Sequence, residues 1–254
     1  MRSSTNVSLL AKLVVLGIAV GAAPGQAAEI KLMAANAVKG AIGGLLMEFE
    51  GASGHRVAVI WGGTEGIAKR VGGGEAVDIV LIGSANIDRL IAGGRLLAGS
   101  RTDIAKSGVG MAVRSGLPKP DISTGEAVRK AVLEARSVAY SSGPSGFYIA
   151  DLFRTMGIAQ QVEGKVRQPP SGAQVGELVA RGEADLGFQQ VSELLHVKGI
   201  EYLGPLPAEI QNITVYSAAL HRAAADPDAA RALVQFLTRP ESGAAVRKAG
   251  MEPG

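Results

Sequence analysis

The chain has 254 residues, a formal net charge of +3, no cysteine and only 4% aromatic residues. It therefore offers no basic run interleaved with aromatics for nucleic acid to stack on, and no thiol for a disulfide or a thiolate metal site. Stability has to come from packing of the 47% of residues that are hydrophobic.

At the N-terminus, Arg2 and Lys12 flank a polar lead-in to the apolar run 13–23, which Pro24-Gly25-Gln26-Ala27 follows. The run is about half of the roughly 20 residues a membrane-spanning helix needs. Gly25 and Ala27 put small residues where a signal peptidase requires them. Residues 1–27 are thus expected to be a signal peptide for export to the periplasm, with the mature chain starting at Ala28 or Glu29. Of the 26 basic residues, Arg2 and Lys12 leave with that segment, and 24 remain against 23 acidic ones.

Short apolar strands then alternate with helical patterns. The first series predicts strand 30–34, helix 38–51, strand 57–61, helix 67–71, strand 79–82 and helix 86–92, which Gly93-Gly94 closes. The second predicts strand 109–113, a turn at 116–120, helix 124–135 with Ser123 as N-cap, strand 138–140, helices 147–156 and 175–181, and strand 186–188. Asp226-Pro227 opens a helix to 238 and Pro240 a last one to 248. This is the α/β rhythm of mostly parallel sheets with crossover helices.

Parallel sheets bind ligands where strand ends lead into helix N-termini. At those points the sequence is small and polar: Ala34-Ala35-Asn36-Ala37, Gly62-Gly63-Thr64-Glu65-Gly66 and Ser141-Ser142-Gly143-Pro144-Ser145-Gly146. Three such loops facing one cleft would hold an anion with N–H and hydroxyl donors alone. Each loop by itself reads first as an ordinary turn and cap, and only the three in corresponding positions bring the two readings level. His55, His196 and His221 are widely separated, so no metal site and no cofactor are expected. Gly72-Gly73-Gly74 follows a helix and lacks the Lys-Ser/Thr of a phosphate loop. Trp61 either packs in a hinge or forms an apolar wall of the cleft.

Four segments carry a family resemblance: Lys-Leu-Met-Ala-Ala-Asn at 31–36, Glu-Ala-Val-Asp-Ile-Val-Leu-Ile at 75–82, Gly-Pro-Ser-Gly-Phe-Tyr at 143–148 and Arg-Gly-Glu-Ala-Asp-Leu-Gly at 181–187. In this order they resemble the periplasmic molybdate-binding proteins of ABC importers, over essentially the whole mature chain. The resemblance implies a two-lobed periplasmic binding protein fold of type II, each lobe a mostly parallel sheet flanked by helices, hinged by crossover strands. Lobe I would be 28–106 plus 207–254 and lobe II 107–206, closing on the ligand by a hinge motion. It further implies a monomer that delivers a small anion to an ABC permease.

Carried over position by position, the resemblance assigns ligand contacts to Asn36, to Gly63 and Thr64, to Ser145 with Gly146 and Tyr148 of the same segment, to Ala173 and to Gln190. Asn36, Thr64 and Gln190 replace the family's usual residues, and Glu65 sets a carboxylate beside a loop that should hold a dianion. Molybdate is therefore one candidate beside organic carboxylates. Residues 119–123 and 187–194 resemble a branch of the superfamily that includes periplasmic aconitate isomerase. That resemblance implies a base to move a proton between two carbons of aconitate, for which Glu65 and Glu193 are the candidates. Glu193 also reads as a solvated residue at a helix start.

Overall fold

The computed structural model describes residues 27–254. The expected signal peptide lies, except for Ala27, outside the described residues. Ten strands form one curled sheet flanked by helices: β1 Glu29–Ala35, β2 Arg56–Gly62, β3 Ile79–Gly83, β4 Thr102–Arg114, β5 Val138–Tyr140, β6 Val166–Arg167, β7 Leu186–Gln190, β8 Ile200–Pro205, β9 Ile213–Leu220 and β10 Glu252–Pro253. Their order is β2-β1-β3-β9-β4-β7-β5-β6, with β8 and β10 also pairing β4.

The parallel pairs β1 with β2 and β3, and β5 with β7, are those of the expected βαβ units; β6, which also pairs β5 in parallel, is a two-residue strand that no apolar run marks. Every antiparallel pair among the described residues involves β4 or β9. Strand β4 is more than twice the length the hydrophobic run at 109–113 predicts, because its two halves serve different ladders. Residues Thr102–Gly108 pair with β9, and Val109–Val113 pair with β7. Gln211 fills the gap where β4 changes partner. Its side chain accepts from the Val109 N–H (2.8 Å) and donates to the carbonyls of Val109 (3.0 Å) and Leu206 (3.2 Å). A side-chain amide thus gives the Val109 N–H a partner where the ladder changes, and shares the Val109 carbonyl with the Leu206 N–H (2.9 Å).

The core is divided on either side of that point. One cluster joins Leu32, Ile42, Leu81 and Ile87 to Tyr216, Leu233 and Leu237, and another joins Met111, Val132, Phe153 and Phe188. All five residues of β3 are buried, as a strand between two others with covered faces requires. Trp61 packs against the first cluster, with the Lys39 ammonium 5.9 Å from its ring. Among the described residues no helix is long and apolar enough to cross a membrane.

The two Asp-led motifs that carry the resemblance have a structural cause. Buried Asp78 accepts from the N–H groups of Lys31 (2.7 Å) and Ala225 (2.6 Å), stapling the start of β3 to its neighbours. Asp185, just before β7, accepts likewise from the N–H of Arg136 (3.0 Å) and is ion-paired with its guanidinium, which holds its pKa below the ordinary value. Helix Gly125–Glu134 is capped by Thr124, whose hydroxyl accepts from the Ala127 N–H (3.1 Å). The expected cap, Ser123, instead gives its N–H to Asp121 (2.8 Å) in a tight turn. Asp226 caps helix Pro227–Thr238 as its Asp-Pro sequence predicts.

Candidate functional site

The ends of β1, β2, β5 and β7 open on one polar cavity of about 40 Å³, where a single water needs roughly 10–15 Å³. Its wall consists of Ala35–Ala37, Gly62–Thr64, Ser141–Ser145 and Ser171–Ala173, closed by Gln189, Gln190 and Glu193 around the end of β7 and by Tyr216 from β9. All three loops singled out by composition meet here, because each follows a parallel strand whose carboxyl end points the same way. The N-termini of helices Thr64–Gly72 and Pro144–Thr155 border the cavity and give it donors without a cation.

Asn36, Gly63, Thr64, Ser145, Ala173 and Gln190 all line this cavity. Their polar atoms, however, are differently engaged. The Asn36 side chain donates to the Gly172 carbonyl (2.9 Å), and the Gly66 N–H donates to Ser171 Oγ (3.2 Å). These bonds tie the loops after β1 and β2 to the loop at 171–173, drawing the two halves of the cleft together. Ser145 Oγ lies 3.0 Å from Ser141 Oγ, which also accepts from the Gly146 N–H (3.1 Å). Ser142 Oγ is buried in the wall without a protein partner.

Gln190 is fully buried and its amide is turned into the protein. Oriented so that its nitrogen meets acceptors, it donates to the carbonyls of Ser107 (3.1 Å) and Gly108 (3.2 Å). Its oxygen then accepts from Thr214 (2.9 Å) and from Tyr216 OH (3.3 Å). The donor expected for a ligand from Gln190 is thus engaged on the crossing strand. In its place Tyr216, two strands away in the sheet, reaches the cavity.

Three expected site residues lie outside the cavity wall. Glu65 accepts from the Asn86 amide (2.7 Å) and faces Arg89 at 3.5 Å, so it lies beside a cation in a neighbouring groove and not in the cavity wall. Gly146 packs beneath the loop: a Cβ there would overlap the Ser141 carbonyl. Tyr148 packs against the second core cluster and donates its hydroxyl to the Ile210 carbonyl (2.6 Å).

Glu193 is the ionisable carboxyl of the wall. It opens helix Val191–Leu194, yet it is not the solvated residue that its position at a helix start allows. It keeps some accessible surface as a residue of the cavity wall, and protein encloses the rest. Burial raises its pKa to about 7, while hydrogen bonds from the Gln174 and Gln189 amides act in the opposite sense. Burial first, and the nearby Glu193 second, push the Tyr216 phenol well above its ordinary value. Among the described residues the wall holds no Lys, Arg or His, and no cluster of potential metal ligands occurs.

Two lobes that meet over a small polar cavity at strand ends, tied by bonds across the cleft, have the architecture of a protein that closes on a small solute. The chain belongs to the bacterial extracellular solute-binding protein family, whose model matches residues 30–252. It is 41% identical over 190 residues to an aconitate isomerase from a Pseudomonas species, covering 74% of this chain and 72% of that one. It is 26% identical over 252 residues to the molybdate-binding protein of Azotobacter vinelandii, covering 96% and 98%. The solved structure of an Azotobacter vinelandii periplasmic molybdate-binding protein superposes with a TM-score of 0.75 at 20% identity, over 89% of this chain and 99% of that one. At that identity the superposition establishes the fold.

Proposed function

We propose that the protein is a periplasmic solute-binding protein that encloses a small organic carboxylate between lobe I, 28–106 plus 207–254, and lobe II, 107–206. The observation that carries this reading is Glu193, a carboxyl enclosed in a wall that is otherwise neutral, where burial pushes its pKa up to about 7. Molybdate brings a fixed double charge and meets Glu193 favourably only after that group is protonated. A polycarboxylate can share a proton with Glu193 in a charge-assisted hydrogen bond. Backbone N–H groups and the hydroxyls of Ser141, Ser142 and Ser145 supply the remaining donors, since the amides of Asn36 and Gln190 are engaged within the protein.

Glu193 also supports a catalytic reading, in line with the aconitate isomerase relative. As carboxylate it would take a methylene proton from trans-aconitate, leaving an allylic carbanion delocalised into the adjoining carboxylate, where N–H donors stabilise the developing charge. Rotation, and return of the same proton to the other carbon, gives cis-aconitate with no cofactor. A base with a pKa near the working pH is the efficient one for this task. Glu65, paired with Asn86 and Arg89, is poorly placed for it.

A thermal-shift panel tests the ligand class. A ligand present at about 100 times its Kd stabilises by roughly 2.7 kcal/mol. Trans-aconitate, cis-aconitate or citrate is expected to reach that stabilisation where molybdate, tungstate, sulfate and phosphate do not. Submicromolar molybdate binding with no response to any carboxylate would overturn the assignment. Incubation with trans-aconitate, followed by proton NMR, then separates capture from turnover.

Export through residues 1–27 and delivery to an ABC permease by a monomer complete the proposal. Expression in a Gram-negative host is expected to yield a periplasmic product that starts at Ala28 or Glu29. A product that stays in the cytoplasm with Met1 in place would count against it.

A further inference from the structure

The Glu193 carboxyl ends a chain of amides that starts at a helix backbone. The Val175 N–H donates to Gln189 Oε1 (2.9 Å), Gln189 Nε2 to Gln174 Oε1 (3.4 Å), and Gln174 Nε2 to Glu193 Oε1 (3.3 Å). Each amide is oriented in the same sense, donor towards the carboxyl, so successive bonds polarise one another. Gln189 is buried at 1% exposure in β7, and its oxygen is fixed by the first N–H of helix Val175–Ala180. The chain therefore links the carboxyl, through Gln174 at the N-cap of helix Val175–Ala180, to that helix and to β7.

We propose, resting on the reading of Glu193 as the group that meets the ligand, that Gln174 and Gln189 are positioning residues. They hold one oxygen of that carboxyl at the cavity wall and leave the other to the ligand or to its proton. The same two donors favour the charged form of Glu193, so they also set the pH at which it ionises.

Of the other ionisable groups around helix Val191–Leu194, His196 lies beside Gly40, and several have partners elsewhere. Lys39 lies over the Trp61 ring, Glu177 pairs with Arg181, Glu201 with Lys119 and Asp103 with Arg101. Lys106 stands opposite Glu252 in the β4–β10 ladder, and Arg114 acts on Asp185. Tyr202 of β8 is a neutral phenol, raised to about 12 by burial. Tyr216 is the group that feels Glu193 across the cavity.

The test is read on the ligand-free protein, so that it does not depend on the identity of the solute. Carbon-13 NMR of labelled glutamate carboxyls, with Glu193 assigned by its loss in Glu193→Gln, gives the titration midpoint directly. In Gln174→Leu the midpoint is expected to rise by about one pH unit, because a donor to the charged form has gone. Gln189→Leu is expected to raise it as well, but leaves the Val175 N–H without its partner. If that variant does not fold, Gln174→Leu alone decides, Gln174 being partly exposed. An unmoved midpoint in Gln174→Leu overturns the proposal whether or not a carboxylate binds. Should trans-aconitate be turned over, Gln174→Leu is expected to lower kcat more than it raises KM, as loss of orientation does.

Discussion

Glu193→Gln is expected to slow conversion of trans- to cis-aconitate by about 10²–10⁴-fold, the usual worth of a positioned general base. The substitution keeps the shape and the hydrogen-bonding length of the side chain while removing its basicity. The fold and the cavity wall should therefore survive, and binding should change far less than turnover. The assay is proton NMR of the vinylic signals under single-turnover conditions, with Glu65→Gln as the comparison. Because Glu65 is engaged with Asn86 and Arg89 outside the cavity, its variant should keep the wild-type rate. A fast Glu193→Gln beside a slow Glu65→Gln would reverse the assignment.

The same variant has a consequence for stability whose sign follows from linkage. The carboxyl of Glu193 titrates near 7 in the folded protein and, like any free glutamate, near 4.3 once unfolded. Between those values the folded state binds the extra proton, so its contribution is fully present below the unfolded pKa and is lost as pH rises through the folded one. Above neutrality the charged, enclosed carboxylate costs the ligand-free protein up to roughly 4 kcal/mol. Glu193→Gln carries no such cost. It should melt higher than wild type in mildly alkaline buffer, by on the order of 5–10 °C, by progressively less as pH falls below 7, and close to wild type only at about pH 4, where the unfolded glutamate is itself protonated.

The parallel βαβ units and the three polar loops were legible because each is written locally, as an apolar run followed by small residues and a helix. Glycines at helix ends and Asp-Pro at 226–227 mark boundaries by backbone preference alone. What joins the lobes was not legible in the same way. The first half of β4, Thr102–Gly108, is only partly buried in pattern and gains its partner from β9, more than 100 residues later. Tyr216 enters the site only through that long-range pairing, so nothing near it in sequence marks it. Glu193 and Gln190 show the opposite case. Both were visible around the end of β7, but whether each faces ligand, solvent or protein depends on Ser107, Gly108 and Gln174, which the fold brings in from elsewhere. Glu65 is equally plain in its loop and is turned away by Asn86 and Arg89 from the following βα unit.

Gly63→Ala should weaken binding of whichever solute the lobes enclose by about 5–150-fold, the equivalent of the 1–3 kcal/mol that forced overpacking costs. The residue has φ −77 and ψ 146, a conformation alanine adopts without strain, so the effect cannot come from the backbone. It comes from what faces it across the cleft. A Cβ on Gly63 would overlap Ser171 Oγ and sit 2.5 Å from the Gly172 nitrogen. Gly172 itself has φ +88, and a Cβ there would lie 3.0 Å from the Gly63 nitrogen, so the two loops meet backbone to backbone. An added methyl holds them apart and strains the bonds from Asn36 to Gly172 and from Gly66 to Ser171 that close the cavity. An opened cleft accommodates the methyl freely. Ligand-free Gly63→Ala should accordingly melt near wild type, and the loss should show in the ligand-induced shift and in calorimetric affinity. Adding Ser171→Gly removes one obstacle but leaves the Gly172 nitrogen and deletes the acceptor of the Gly66 N–H, so the double variant should recover at most part of the affinity. Undiminished binding by Gly63→Ala would mean that the bound state does not bring these loops together.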